Sequence, residues 1–575
     1  MKKISYLLIT ILIFNTQVFA QEAENSNIEE IVVTSQKRAN AIAAQDLPVS
    51  VTAINEKLII DSDSLDLTDI GRMVPNATLH PSATFAGTPN FLIRGIGVSG
   101  TTRSLDPTVG IIVDGVYLGF PVGANLDMFD RESIEILRGP QGTLLGRNVS
   151  GGAIVVRTKR PTGEFGAKVD VTVGDYSRRD LSLSIEGPIS ETVSAKIAVM
   201  SRERDGYWKD NNGGSMVPTA GAIARGYDET GQGESGTKPD VDLTIIRPML
   251  LIQPSENLDI TFIGEFLSDK SGTANSRNFV NNDALRRTQL FGYTPPEDRY
   301  EINHNLMGGN DLEIDTFIGE FNLQTDSGIL TGIASYRELT YDSSTDFDGS
   351  PITLFHFPDN HEEQEQQTFE LRYAGSYSES IDYVVGVSYF DQEMFVGERR
   401  DFGVADIAGV TELSHDSIGI FAELDYLIND KTKITLGARW TEESKDVIFN
   451  AIGSCEKDFS SCSGPSSGLM RSGTYDDTTP KIAVTHSLNE EIAPLQQHER
   501  LHHTNLAPSQ STWPLQLQIN QKKTFKQWRV YTENKGPTHA CESIIDQLGS
   551  QMNPFLMIGL SGTGKSHLLH ATGQS

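Results

Sequence analysis

Disulfides are scarce in this sequence. Three cysteines in 575 residues, Cys455, Cys462 and Cys541, cannot staple a scaffold. Positive charge is scarce too, since 47 Lys and Arg against 77 Asp and Glu leave a formal net charge of −30. No basic field attracts a phosphate backbone, which excludes nucleic acid as a partner for most of the chain. Past the N-terminus no apolar run approaches the roughly 20 residues of a membrane helix, which excludes a helical membrane protein. The chain is long for one globular core, so several domains are the default and a large barrel is the exception.

What is present begins with an export signal. Lys2 and Lys3 precede a nearly continuous apolar run over 7–14, and Val18, Phe19 and Ala20 precede Gln21 and Glu22. This pattern predicts a signal peptide over 1–20, cleaved after Ala20. An acidic tail over 21–46 follows, and within it the β-prone run Ile31, Val32, Val33, Thr34 is flanked by charge. Such a run suits strand addition to a partner's sheet, and equally the first strand of the next domain. Residues 47–75 predict a strand, a helical stretch capped near 61–64, and a turn at Pro75 and Asn76. Over 91–160, short apolar runs are cut by glycines, with Arg94, Arg138, Arg147 and Arg157 beside them. Runs of four to eight apolar residues between turn signals predict short buried strands, and Asp114-Gly115 predicts a hairpin turn. Together these predict a small mixed α/β unit over 47–161.

Beyond Pro161 the pattern changes. Segments such as LSLSIEG, LDITFIGEFLS, QTFELRYAGSY and ITLGARWTEE alternate apolar and polar residues over about ten positions. Their connections alternate short (187–191, 254–257, 326–328, 377–380, 428–431) and long (204–239, 268–309, 341–363, 394–413, 448–472). A soluble sandwich has no reason for this alternation, whereas a membrane barrel has short turns at one end and long loops at the other. Tyr207, Trp208, Phe266, Tyr336, Tyr341, Tyr389 and Phe390 near strand ends fit an interfacial girdle.

These motifs, FLIRGIG, VDGVYLG, EILRGPQGTLLGRN and GGAIVVRTKRP, resemble the plug domain of TonB-dependent outer-membrane receptors, and EEIVVTSQKR resembles their TonB box region. The likeness runs to about residue 488. It implies a Gram-negative outer-membrane location and a mainly β fold: a mixed α/β plug followed by an antiparallel transmembrane β-barrel. About a dozen strands are countable over 162–490, against 22 in the family, so the barrel is expected to be partial and, in this chain, not to close. The resemblance implies that Ile31, Val32, Val33 and Thr34 pair with TonB and its inner-membrane energising complex. It places Arg94, Arg138 and Arg157 against the barrel wall, and has a scarce ligand, a metal chelate such as a ferric siderophore or an oligosaccharide, enter from the loops. Catalysis is not expected. A passive porin or adhesin needs neither plug nor TonB box.

Over 491–575 the composition shifts. Seven basic residues stand against four acidic ones after Glu491, and six of the chain's twelve histidines fall there. PFLMIGLSGTGKSHLLHATG fits a P-loop, strand before and helix after, with Gly559 and Gly564 cradling phosphates, Lys565 reaching the terminal phosphates and Ser566 on Mg²⁺. The segment resembles the start of DnaA-like AAA+ regulators, a short α/β fragment that an exported chain does not need. It ends nine residues after Ser566, without a metal-holding acid or sensors, so ATP and Mg²⁺ are expected only if the fragment were completed, and no other cofactor is expected. The chain therefore reads as a receptor joined near 490 to the beginning of an unrelated ATP-binding regulator.

Weaker signals remain. Gly95, Gly97 and Gly100 fit a dinucleotide pattern, but without a βαβ unit a plug turn is favoured. Cys455 and Cys462 lie in a loop of an exported chain, and a disulfide is expected over free thiols. Asp342, Asp346 and Asp348 before Gly349 hint at a calcium loop, yet the closing Glu is missing. A solvated acidic loop, with no metal, is the expectation.

Overall fold

Two kinds of strand make up the molecule, and burial separates them. The computed structural model describes residues 32–486 apart from 40–41, 44–46, 83–84, 99–104, 121, 124–125, 212–235, 274–275, 277–294, 307, 351–352, 354, 403–405, 456–458, 460–461 and 464–468. The chain divides into units Met1–Pro494 and Leu495–Ser575. The signal peptide, Ile31 and the P-loop residues Gly559, Gly564, Lys565 and Ser566 lie outside the described residues.

The plug starts with two short strands, β1 (Val32–Val33) and β2 (Ile42–Ala43), paired with each other. Then come β3 (Ser50–Asn55), α1 (Glu56–Asp61), α2 (Leu67–Met73), β4 (Ala77–Ser82), β5 (Phe85–Ile93) and β6 (Ile96–Gly97). It ends with β7 (Val109–Val113), β8 (Val116–Tyr117), β9 (Arg131–Arg138), α3 (Gly142–Leu145) and β10 (Gly152–Thr158). One sheet has the order β3-β9-β10-β7-β8, with β10 parallel to β7, and a second is β4-β5-β6. Strand β10 is covered on both faces: Ile154 and Val156 join the main core with Ile134, Ile136 and Ile70, while Ala153 and Val155 pack with Ile112, Leu137 and Val149. Two-sided burial is why these strands read as continuous apolar runs.

Local chemistry fixes the corners. Asp114 (φ 51°) and Gly115 (φ 85°) form the type I′ turn that joins β7 to β8, as the dipeptide predicted. Arg94 and Gly95, both at positive φ, turn β5 into β6, so the glycine motif there is a hairpin without a βαβ unit. Near 61–64, where a helix cap was expected, Ser62 closes α1, its N–H reaching the Leu58 carbonyl at 3.0 Å. Asn55 caps α1 by accepting from Leu58 N, and Asp66 caps α2 by accepting from Thr68 N and Asp69 N.

The second kind forms one long antiparallel sheet. Its strands are β11 (Gly166–Val173), β12 (Arg179–Ser190), β13 (Val193–Asp210), β14 (Gly236–Ser255), β15 (Leu258–Asp269), β16 (Glu301–Ile302), β17 (Gly309–Thr325) and β18 (Gly328–Asp346). They continue with β19 (His356–Ser378), β20 (Ile381–Asp401), β21 (Asp406–Asn429), β22 (Thr432–Cys455), β23 (Cys462–Ser463) and β24 (Leu469–His486). Each long strand pairs with the next, while β16 and β23 are short side pairings. Among the described residues β11 and β24 form the two open edges.

Burial in this sheet is inverted relative to a soluble protein. On β21, Ile418, Ile420, Leu424 and Tyr426 point outward and are exposed, while Phe421, Glu423 and Asp425 point inward and are buried. Phe262, Phe317, Phe369, Val385 and Leu436 extend the outward apolar band, and Lys196, Arg247, Gln366 and Arg439 line the inside. Apolar-out, polar-in alternation is the signature of a strand wall set in lipid. No described helix is long and apolar enough to cross a membrane.

The turns at one end are short throughout, two residues at 191–192, 256–257, 326–327, 379–380 and 430–431. At the other end the strands run further than the alternation predicted. Strands β20 and β21 leave only 402–405 between them, where a loop over 394–413 was expected. Of the expected girdle, Tyr389 and Tyr207 do face outward, but Tyr341 and Phe390 are buried on the inner face.

Candidate functional site

The inner face of the sheet is occupied by the plug, and charges hold the two together. At one contact, plug residues Asp127, Asp130 and Arg131 meet wall residues Lys196, Arg202, Arg247 and Glu265. Lys196 Nζ lies 2.6 Å from Asp130, Arg202 2.7 Å from Asp127, and Arg131 3.5 Å from Glu265. Arg247, fully buried, lies 2.6 Å from Glu265 and donates to the Phe129 carbonyl at 3.0 Å. Removing one partner of such a group strands a buried charge and costs about 3–5 kcal/mol.

A second contact uses the β7–β8 turn. Asp114 accepts from Thr158 N and Oγ1, and Arg160 bridges Asp114 at 3.4 Å and wall Glu320 at 2.7 Å. Burial alone would raise the Asp114 carboxyl, but Arg160 and the Thr158 donors outweigh it and hold it below the usual carboxylate range. Gly115 is required twice, by its positive φ and because a Cβ would sit 2.5 Å from Ile333 of the wall. Nearby, wall Gln366 donates to the Tyr117 carbonyl at 2.7 Å and accepts from Gly119 N at 2.9 Å, so a side-chain amide extends the plug's backbone bonding into the wall.

The third contact is the N-terminal tail. Val33 is buried, and Glu135 on β9 accepts from Thr34 N and Thr34 Oγ1 through Oε1 and from Ser35 N through Oε2. Lys37 then reaches Glu370 of β19 at 2.6 Å and lies over the Phe421 ring, while Arg38 bridges Glu423 and Asp425 of β21 at 2.7 and 3.1 Å. Burial pushes the Lys37 ammonium down to about 8, against the pull of Glu370. The run expected to be free for TonB is thus folded back: Val32 and Val33 are paired with β2, and Thr34 is held by Glu135.

The arginines singled out by sequence sit elsewhere. Arg138, half-buried, donates to the Pro75 carbonyl and neighbours exposed Arg94, and no wall contact of either is described. Arg157 pairs with Glu132 of the plug at 3.7 Å, although its charge also reaches Glu320. Arg147 does face the wall, 3.2 Å from Asp106 and 3.7 Å from Glu443. Sequence reasoning missed Lys37, Arg38, Asp130, Arg131 and Arg160, whose only signal was charge of both signs at the ends of apolar strands. Cys455 is disulfide-bonded, and strand register sets Cys462 opposite it.

At the outward tip of the plug, Phe120 packs with Met394 and Leu413. A cavity of about 480 Å³ lies there, lined by Leu339, Gln364, Met394 and Leu413 on the long-loop half of the wall. Glu338, Glu363, Glu365, Glu393, Glu412 and Asp446 also line it, so the cavity is acidic beside its apolar residues, with the size of a small-ligand pocket.

Comparison with known proteins agrees with this architecture. Residues 43–153 match the TonB-dependent Receptor Plug Domain, residues 252–496 match the TonB dependent receptor-like beta-barrel, and residues 519–575 match the Bacterial DnaA ATPAse domain. The Catecholate siderophore receptor Fiu of Escherichia coli O157:H7 is 27% identical over 182 residues, which are 32% of this chain and 23% of that protein. The Iron-regulated outer membrane virulence protein of Vibrio cholerae serotype O1 is 27% identical over 212 residues, 34% of this chain and 30% of that protein. The chain thus spans less than a third of the length of these curated relatives. Among solved structures, the ferric yersiniabactin uptake receptor FyuA from Yersinia pestis superposes with a TM-score of 0.61 at 16% identity, covering 77% of this chain and 63% of that one. The siderophore receptor PiuA from Acinetobacter baumannii gives 0.58 at 16% identity, covering 79% and 64%. With plug and barrel matches together taking in more than half of its residues, the chain belongs to the TonB-dependent receptors of the Gram-negative outer membrane.

Proposed function

We propose that the described residues are the plug and part of the wall of an energised importer for a ferric siderophore, acting by binding and movement and not by catalysis. The observation that carries this reading is the tail: a β-prone run held by one plug carboxylate and two wall contacts next to a plug seated against the wall. TonB would recognise the edge of Val32 and Val33 by strand addition. It could do so only after β2 and Glu135 release that edge, so uptake would be gated by the tail's detachment. The relatives named for siderophores and iron regulation support a ferric chelate as ligand, and the cavity beside Phe120 is the place for it.

The reading is tested on the full chain in detergent, with Val33→Cys as a cross-linking handle. Ferric catecholate and ferric hydroxamate chelates are titrated by quenching of intrinsic fluorescence, and cross-linking to the periplasmic domain of TonB is followed in parallel. Saturable binding of one chelate with a rise in cross-linking is expected. No saturable binding of either chelate would reject the siderophore reading.

A further inference from the structure

The connection between β18 and β19 holds a cluster that the plug and its tail do not use. Asp346 closes β18, His356 opens β19, and the two are cross-strand partners. Asp348 lies between them, and the ligand atoms of all three side chains fall within 4.8 Å of one another. All three are buried, so the solvated acidic loop expected from the sequence is corrected. His356 Nε2 lies 3.1 Å from Asp348 Oδ2 and 3.5 Å from Asp346 Oδ1. Ligands about 2.0–2.1 Å from a tetrahedral ion stand roughly 3.3–3.4 Å from each other, which is the spacing found here.

The carboxylates are aimed by donors from outside the cluster. Asp346 accepts from Gly349 N at 2.9 Å and from Asn305 N at 3.2 Å, and Asp348 accepts from Phe355 N at 3.0 Å and from Ser350 Oγ. Fixing ligand carboxylates through their second shell is how metal sites are pre-organised. The rings of Phe347, Phe355, Phe357 and Phe402 pack together around the same connection, with centroids 5.1 to 5.9 Å apart. An apolar surround of this kind lowers the local dielectric and strengthens ion–ligand attraction.

A separate observation comes from Asn305, on the segment before β17 and fully buried. Its amide oxygen accepts from Thr353 Oγ1 at 2.9 Å and from Thr353 N at 3.1 Å, and its NH2 donates to the Ser350 carbonyl at 3.1 Å and to Asp346 Oδ2 at 3.2 Å. Asn305 thus orients Asp346 from outside the cluster and leaves His356 and Asp348 facing each other.

We propose that Asp346, Asp348 and His356 bind a divalent cation of the zinc class, with water completing its coordination. One imidazole and a small set of oxygens suit zinc, whereas calcium takes six to eight oxygen ligands. The ion closes the β18–β19 connection, and Asn305, bonded to Asp346, ties the segment before β17 to it, so that the long-loop end of the wall is stapled. The inference is independent of the siderophore reading.

The test uses the full chain in detergent, stripped with a chelator and titrated with zinc chloride by calorimetry and metal analysis. Six histidines and Cys541 after residue 491 can also hold zinc, so the readout is the difference between variants. His356→Ala and Asp348→Asn should each remove one zinc equivalent or weaken it at least tenfold. Asp342→Asn, at the exposed pair with His361, should leave zinc uptake unchanged. Cobalt titration of the unsubstituted chain guards against misfolded variants, because a tetrahedral site gives intense visible bands and an aqueous ion does not. Zinc uptake unaltered by His356→Ala, absence of those bands, or displacement of the zinc by calcium would each overturn the proposal.

Discussion

Plug and wall are built on opposite rules from the same residue types. In the plug, Ile134, Ile136 and Ile154 are buried within and the charges lie at its surface. In the wall, Ile418 and Ile420 are exposed and Glu423 and Arg439 are buried. The plug's polar surface therefore meets the wall's polar face, and ion pairs join the two around smaller apolar contacts such as Val116 with Ile333 and Leu144 with Phe421. The difference teaches that the core keeps the plug folded, whereas the charged joint decides where it sits. A joint of that kind can be undone without unfolding either part.

The largest expected effect concerns the wall's edges. Strands β11 and β24 are exposed on both faces, with Val171, Val173, Ile482 and Val484 open to solvent. Lipid cannot satisfy an open strand edge, so this 575-residue chain is expected not to assemble a closed barrel in a bilayer. Outer membranes from cells expressing it should show no heat-modifiable, protease-resistant species, and such a species would end this view. Detergent micelles wet an open edge, and the smaller effects are measured there.

Next comes the joint itself. Arg247→Met removes the wall's donor to the Phe129 carbonyl and leaves buried Glu265 with only plug Arg131 at 3.5 Å, and should weaken plug docking by about 4 kcal/mol. Hydrogen exchange in β9 and β10 should leave those strands protected while Phe129 and its neighbours become accessible. Adding Glu265→Leu should restore most of the loss. If plug strands and joint lose protection together, the separation of core from joint fails.

How much of this was legible follows from the same contrast. Two-sided burial of β10 writes a continuous apolar run, and Asp114-Gly115 writes its own turn, so the plug could be read strand by strand. Wall strands could be read only where one face meets lipid. Over 391–401, DQEMFVGERRD, the alternation is lost, with Met394, Phe395 and Val396 adjacent and mostly charged residues around them, so β20 was expected to end early. The joint left no periodicity at all. Lys37 and Glu370 are 333 positions apart, and an ion pair across that span obeys no local rule. At the β18–β19 connection the acids were legible as acids, but His356 joins them only through the strand register that places it opposite Asp346.

The apolar half of the comparison predicts an asymmetry of about 3 kcal/mol. Ile136→Ala opens a cavity in the plug core and should cost roughly that amount. Ile420→Ala, at a side chain 53% exposed on the wall's outer face, should cost under about 1 kcal/mol by the same denaturant titration. Equal costs would mean that the outward face is packed against protein.

The smallest effect is at the tail, and its sign is the informative part. Docked Lys37 holds its proton less tightly than a free lysine, with its pKa lowered by burial to about 8 from an ordinary value near 10.4. Between those two values the released tail binds more protons than the docked one, so raising the pH favours docking, by at most about 1.4 kcal/mol per pH unit. Below pH 8 both forms are protonated and docking should be flat with pH. A spin label at Ser35→Cys reports the docked fraction across this range, and Lys37→Met should abolish the slope while keeping the tail docked. Release of the tail as the pH rises above 8 would show that the Lys37–Glu370 pair outweighs the burial of the ammonium, and the tail would then belong to the charged joint with the rest of the plug surface.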